Sequence, residues 1–365
     1  MSTRVISLLF LFSFFGFSQN QFTLSGSVYE SEGQETLIGA NVIFPELNTG
    51  TITNEYGFYS ITLPKGTYSL TISYLGYNTV TEIIILDQNL NRNFSLGAAA
   101  DALDEIVLET DVERINIKTP QMSVNALNAN TIKQIPVVFG EADVVKAISL
   151  LPGVSNGGEG TGGFNVRGGS NDQNLILLDE ATLFNSSHLF GFFSVFNPDA
   201  IKSLKLYKGG IPAKYGGRVA SVLDIYQKEG NKNEFHGNGG IGLIASRILL
   251  EGPLEKEKGS FLFGGRSTYA HLFLPLFDID NIAYFYDLNT KLSYRLDANN
   301  KIYLSGYFGR DVFNVSNSFE NTYGNTVVNF RWNHLFSEQL FSNLSLIYSD
   351  YYYGLDLNFV GFEWN

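Results

Sequence analysis

The chain has 365 residues, with 36 acidic against 24 basic side chains for a formal net charge of −12, and no cysteine. The acidic balance argues against a nucleic-acid partner, which needs clustered Lys and Arg; the missing cysteine removes disulfide scaffolds, Cys-based zinc sites, thiol catalysis and a lipoprotein anchor. With 44% hydrophobic and 16% charged residues, 37 Gly, 30 Phe and 20 Tyr, the chain is too apolar to be disordered throughout and favours β-structure with tight turns, in two or three domains. It opens with Arg4 and an apolar run over 5–17, then Ser18 and Gln19. That reads as a secretory signal peptide over 1–18, too short for the roughly 20 residues that span a bilayer. No later stretch reads as a transmembrane helix, so any membrane insertion is expected through a β-barrel.

Residues 22–97 read as a first module. Phe22, Leu24, Gly26 and Val28 alternate with Thr23, Ser25 and Ser27; Tyr68, Leu70, Ile72 and Tyr74 alternate with Ser69, Thr71 and Ser73. That is the period of half-buried strands. Turn signals at Asn54-Glu55-Tyr56-Gly57, Pro64-Lys65-Gly66 and Gly76 separate further runs over 40–44, 58–63, 79–86 and 92–96. About seven short strands at this spacing predict a β-sandwich. Leu37-Ile38-Gly39-Ala40-Asn41-Val42, Thr53-Asn54-Glu55-Tyr56-Gly57-Phe58-Tyr59 and Ser73-Tyr74-Leu75-Gly76-Tyr77 together resemble the carboxypeptidase-regulatory-like domain, a small transthyretin-like sandwich. The resemblance implies no catalytic machinery in this module.

Residues 98–118 read as a linker. In it Asp104 and Glu105 precede Ile106, Val107 and Leu108. On local grounds this is an ordinary linker or a short strand. Next to the region that follows it resembles the TonB box of TonB-dependent transporters, which pairs with a partner's sheet edge by β-augmentation.

Residues 119–229 mix helix and strand signals and predict a small α/β domain. Val144, Val145, Ile148 and Leu151 fall at helical spacing until Pro152-Gly153 stops them. Strand-like runs follow at 174–180, 201–207 and 220–226. Gly158, Gly160 and Gly163 satisfy G-x-G-x-x-G, but a helix precedes them and a strand follows, the reverse of a dinucleotide fold. His188, His236, His271 and His334 lack metal-ligand spacing, and no nucleophile elbow is present. No catalytic, metal or cofactor site is expected.

Leu150-Leu151-Pro152-Gly153-Val154, Asn165-Val166-Arg167-Gly168-Gly169, the run 175–180 ending in Asp179, and the stretch 198–210 with Lys208-Gly209 followed by Ala213-Lys214-Tyr215-Gly216-Gly217 resemble, in that order, the plug of TonB-dependent receptors. Lys208-Gly209-Gly210-Ile211-Pro212 departs from the starch-utilisation subfamily, which weighs against a polysaccharide substrate. The resemblance implies that Arg167 meets acids of a barrel wall. The residues themselves allow equally a surface arginine held at a turn by Gly168 and Gly169.

Residues 230–365 read as a partial outer-membrane β-barrel. Tyr284, Tyr286, Leu288, Leu292, Tyr294 and Leu296 alternate with Asp287, Asn289, Lys291, Ser293 and Arg295, as lipid-facing and lumen-facing side chains do in a barrel strand. Phe330 and Trp332 alternate with Asn329, Arg331 and Asn333, and Leu344, Leu346 and Tyr348 with Asn343, Ser345 and Ser349. Glu251-Gly252-Pro253-Leu254 and Ala298-Asn299-Asn300 are expected as turns. About six strands are expected where plugged transporters use about 22, so the chain is expected to be the N-terminal part of a longer protein.

The fold expectation is thus mainly β: signal peptide, sandwich, α/β plug and the first barrel strands. The resemblance implies an outer-membrane location with the N-terminal module in the periplasm. It implies uptake of an unidentified scarce solute and partnership with TonB, energised by ExbB and ExbD. A surface lipoprotein cap is a further possible partner. A surface-binding or sensory protein that moves nothing, and a secreted enzyme, are the competing classes.

Overall fold

The computed structural model describes residues 20–54, 56–74, 76–99, 123–135, 142–157, 162–269, 271–273, 282–315, 319–359 and 362–364. The predicted leader over 1–18 and the 104–108 segment lie outside the described residues. Two compact units result, residues 1–102 with 335–342 and residues 103–334 with 343–365. Among the described residues no helix is long and apolar enough to cross a membrane.

The first module is a sandwich of two sheets. One joins β1 (Gln21–Glu30) to β4 (Phe58–Pro64) and to the short β7 (Leu90–Asn91) and β8 (Phe94–Leu96); the other runs β3 (Thr49–Ile52), β2 (Asn41–Phe44), β5 (Gly66–Ser73), β6 (Val80–Leu86). Eight strands form rather than about seven. The period-2 residues meet as expected: Leu24, Val28, Phe44, Tyr59, Leu70 and Ile72 are buried between the sheets. The turn after β3 closes because Asn54 Oδ1 accepts from the amides of Tyr56 (2.9 Å) and Phe58 (3.0 Å), while Gly57 takes a φ of +74° that a side chain would resist.

The predicted α/β domain is a five-stranded sheet in the order β13 (Ala181–Thr182), β12 (Asn174–Leu178), β17 (Ser221–Gln227), β16 (Ile201–Tyr207), β9 (Val124–Asn128). β12 and β17 are parallel; the other pairings are antiparallel. Two short helices, α1 (Ala129–Gln134) and α2 (Val144–Ser149), accompany the sheet. α2 starts where Asp143 caps it, its side chain accepting from Lys146 N, and it buries Val144, Val145, Ala147 and Ile148. Hairpins β10 (Val154–Asn156) with β11 (Phe164–Val166) and β14 (Ser187–His188) with β15 (Phe193–Ser194) complete the domain. β17 is buried along its whole length, because the sheet is covered on both faces.

Among the described residues the C-terminal region is one sheet of eight strands in sequence order, where about six were expected. These are β18 (His236–Ile241), β19 (Ala245–Glu255), β20 (Gly259–Thr268), β21 (Ile282–Arg295), β22 (Asn300–Val315), β23 (Phe319–Ser337), β24 (Leu340–Phe359) and β25 (Phe362–Trp364). The turn expected at 251–254 is absent. Gly252 and Pro253 stay in β19, opposite Phe261 and Ser260, and the ladder slips at a bulge beyond Pro253. A bulge is where a strand tolerates a residue without an N–H.

This sheet is inside-out by soluble standards. On β21, Asp287, Asn289, Lys291 and Ser293 are no more than 3% exposed, while Leu288 is 44% and Leu292 37% exposed. β23 repeats the pattern, with Asn329, Arg331 and Asn333 buried and Phe330 and Trp332 out. The polar face is buried against the plug, so the sheet is a barrel-like wall with the plug on its inner side.

Candidate functional site

The wall strands present a row of charged groups to the plug, and the plug supplies the complements. Neither set could be buried alone, since an unpaired buried ion is costly. Asp179 and Glu180 end β12 at a corner where both backbones take positive φ, +46° and +74°. That corner turns the carboxylates onto the wall. Asp179 Oδ1 accepts from Lys291 Nζ (2.9 Å), and its two oxygens accept from Gln227 N (3.1 Å) and Nε2 (3.3 Å). Its carbonyl takes Asn329 Nδ2. Glu180 faces Arg331 Nη1 at 3.5 Å and takes the Ser345 hydroxyl.

Four residues from Lys291 on the same face of β21 is Asp287, about 13 Å away at the rise of a strand. It accepts from Arg266 Nε (2.9 Å) and Nη2 (2.6 Å) and faces the ring of the plug residue His188. Asp311 on β22 faces the other ring nitrogen. Nearby, Asn325 Oδ1 accepts from the amides of Phe184 and Asn185.

Two further acids tie the plug where it meets the wall. Asp199 pairs with Lys133 of α1 and Arg247 of β19, each at 2.7 Å. Burial alone would raise its pKa, but Lys133 and Arg247 outweigh that and lower it. Glu229, in the connector to β18, faces Lys232 and Lys301 at 3.0 Å and the Tyr303 hydroxyl at 3.3 Å. Burial again opposes ionisation, and Lys232, Lys301, Lys202 and Lys291 override it, holding the carboxyl well below the ordinary glutamate range. Gly230 follows with φ +88°; a Cβ there would lie 2.4 Å from Phe261 O.

Of the plug-motif residues singled out from the sequence, Asp179 alone lies in this interface, where it meets Lys291 and Asn329 of the strands expected to face the lumen. Among the described residues Arg167 meets no wall acid: it is exposed at φ +49°, beside Gly168 at +83°, and its guanidinium donates to Ser123 Oγ (2.8 Å). Gly209 and Lys208 adjoin it: a Cβ on Gly209 would sit 2.8 Å from Arg167 Nη1, and Lys208 Nζ donates to Pro152 O (2.7 Å). Tyr215 packs on Tyr207 and donates to Asp224 Oδ2 (2.7 Å), with Gly216 beside it in the loop to β17. These form a second cluster that ties loops within the plug. His188, Glu229 and Asp199 as interface residues, and their partners, were not singled out from the sequence.

What the interface can do follows from its chemistry. It joins hydrogen bonds and ion pairs, which water can replace when the faces part, to apolar contacts such as Phe193 on Phe285 and Tyr307 and Val327 against the plug core. Among the described residues there is no group of three or more acidic, His or Cys side chains arranged to hold a metal.

Residues 24–108 match the CarboxypepD_reg-like domain and residues 116–222 the TonB-dependent Receptor Plug Domain. The chain is 28% identical over 229 residues to the TonB-dependent receptor SusC of Bacteroides thetaiotaomicron, covering 58% of this chain and 21% of that protein. It is 27% identical over 233 residues to the TonB-dependent receptor P39 of Formosa agariphila, covering 61% and 21%. The chain thus spans about a fifth of the length of these relatives. Among solved structures, the siderophore receptor PirA from Acinetobacter baumannii is 18% identical, with a TM-score of 0.49 over 66% of this chain and 41% of that one.

Proposed function

Carrying a CarboxypepD_reg-like domain ahead of a TonB-dependent receptor plug domain, the chain is a homologue of the TonB-dependent receptors; from that premise we propose that it serves in uptake of a scarce solute across an outer membrane, with TonB moving the plug. The observation that carries this reading is the inverted burial of the wall. Its apolar side chains point outward, as lipid requires, and its charged ones point at a plug held by bonds that water can replace. In this reading the sandwich lies in the periplasm. The 104–108 segment, Asp-Glu-Ile-Val-Leu, is the strand that TonB captures, and ExbB and ExbD deliver the proton-motive force to TonB. Solute binding shifts the population toward a state in which that segment is offered.

The test is deletion of residues 104–108 in the full-length receptor. Energised uptake is expected to vanish while surface binding persists. Uptake unaffected by the deletion, or equal in cells lacking TonB, would sink the assignment and favour a receptor that binds without transporting.

A further inference from the structure

His188 ends β14 and opens the plug loop to β15, and that loop is held in an unfavourable shape. Leu189 and Phe190 have φ of +47° and +54° in succession, a region non-glycine residues keep only when their surroundings enforce it. The enforcement comes from the wall. Asp311 Oδ1 accepts from Leu189 N (2.8 Å) and the Tyr323 hydroxyl from Phe190 N (3.1 Å). The imidazole stacks on Phe285, centroids 4.2 Å apart and planes 8° apart. Its Nδ1 is 2.6 Å from Asp311 Oδ2, and its Nε2 is 3.1 Å from Asp287 Oδ2 and 3.2 Å from the Tyr307 hydroxyl.

A carboxylate only accepts, so two ring nitrogens facing two carboxylates call for two N–H groups. The charges agree. Asp287 and Asp311 are matched by Arg266 and a protonated His188; a neutral ring leaves one uncompensated negative charge among groups no more than 4% exposed. The Tyr307 hydroxyl could donate to a bare Nε2, but it cannot supply that charge. The other charged and titratable groups packed around the loop include Tyr323 on β23, Tyr351 on β24, which faces Asp311, Asp143, which accepts from Ser194 N (2.8 Å), and Lys146, which donates to Phe192 O (2.9 Å).

We propose that His188 is a proton-operated latch: as imidazolium it pins the plug loop to the wall, and loss of one ring proton to water frees the loop. Burial pulls the ring's pKa down, and Asp311 and Asp287 outweigh it and raise it above the ordinary histidine value. A raised folded value makes docking complete below the ordinary value of about 6.5 and lost as pH rises through the folded one. Alkalinity therefore loosens the loop. The latch takes plug displacement from the function proposed above, but its readouts are ring protonation and amide exchange, which do not depend on uptake.

The test uses the full-length receptor in detergent. Nitrogen-15 NMR of histidine-labelled protein is expected to show the His188 ring mostly doubly protonated at pH 6.5, where an ordinary histidine is about half protonated, the signal being the one lost in His188→Gln. Amide exchange at Leu189 and Phe190, corrected for its intrinsic pH dependence, is expected to speed up by as much as about tenfold per pH unit between the ordinary value of about 6.5 and the raised one, the slope of one linked proton, and to level off above it. In His188→Gln that slope disappears, and in His236→Gln, at an exposed histidine, it stays. A ring half protonated or less at pH 6.5 overturns the proposal, as does an equal slope in wild type and His188→Gln. If His188→Gln is not recovered, the ring signal is identified as the slowest-exchanging imidazole N–H, and its protonation state alone decides.

Discussion

Asp179→Asn isolates the charge that holds β12 to the wall. The amide keeps the shape and can still accept from Gln227 N, but it leaves the Lys291 ammonium buried, its side chain 3% exposed, without its counter-ion. Removing one partner of a buried pair costs about 3 to 5 kcal/mol. Lys291 keeps its bond to Gln227 O (2.8 Å), so the lower end of that range applies. The corner amides report it, since Asp179 N is bonded to Ile225 O (2.8 Å) and Leu183 N to Ile176 O (2.9 Å). At 1.4 kcal/mol per factor of ten, their exchange should quicken by about a hundredfold or more. Lys291→Met added to Asp179→Asn removes the stranded charge and should restore most of the protection. A single variant that exchanges like wild type would refute the reasoning. So would a double variant looser than the single, since the cost would then not come from an unpaired ion.

Other perturbations follow from the same geometry. Glu229, with its lowered pKa, should anchor the plug fully above the ordinary glutamate value and lose that contribution as pH falls below it through the folded value; Glu229→Gln should lower the thermal midpoint at neutral pH and flatten its fall in acid. Gly230→Ala, forced against Phe261 O at positive φ, should cost about 1 to 3 kcal/mol in a denaturant titration. Arg167→Ala, losing one exposed bond to Ser123, should cost under about 1 kcal/mol in the same titration. In the sandwich, Asn54→Ala removes two turn bonds and should cost about 1 to 2 kcal/mol by circular dichroism in urea.

Much of this architecture was readable in the residues because strand alternation is a local signal. Tyr286, Leu288 and Leu292 were expected to face out and Asp287, Asn289 and Lys291 in, and β21 has them so. β16 was legible from 201–207 for the same reason. The strand count fell short partly because β18, His-Gly-Asn-Gly-Gly-Ile, carries no alternation of its own; its pairing with β19 makes it a strand. The candidate site was mostly hidden. The carboxylates that face His188 lie 99 and 123 residues away in the chain, and no local spacing encodes a pairing between plug and wall. Asp179 was found through a motif, but its partner Lys291 appeared only as a lumen-facing residue. For Arg167 the motif implied a wall contact, and among the described residues its guanidinium bonds Ser123.

The most direct test of a plug that leaves its wall uses Asn329→Cys as the single cysteine of the full-length receptor, to which these 365 residues contribute no other. Asn329 is 2% exposed and donates to the carbonyl of Asp179, so a membrane-impermeant maleimide reaches that position only when plug and wall separate. Living cells with TonB, supplied with a nutrient-complete medium, should label it, and cells without TonB should not. No labelling in either strain, or equal labelling in both, would contradict the account.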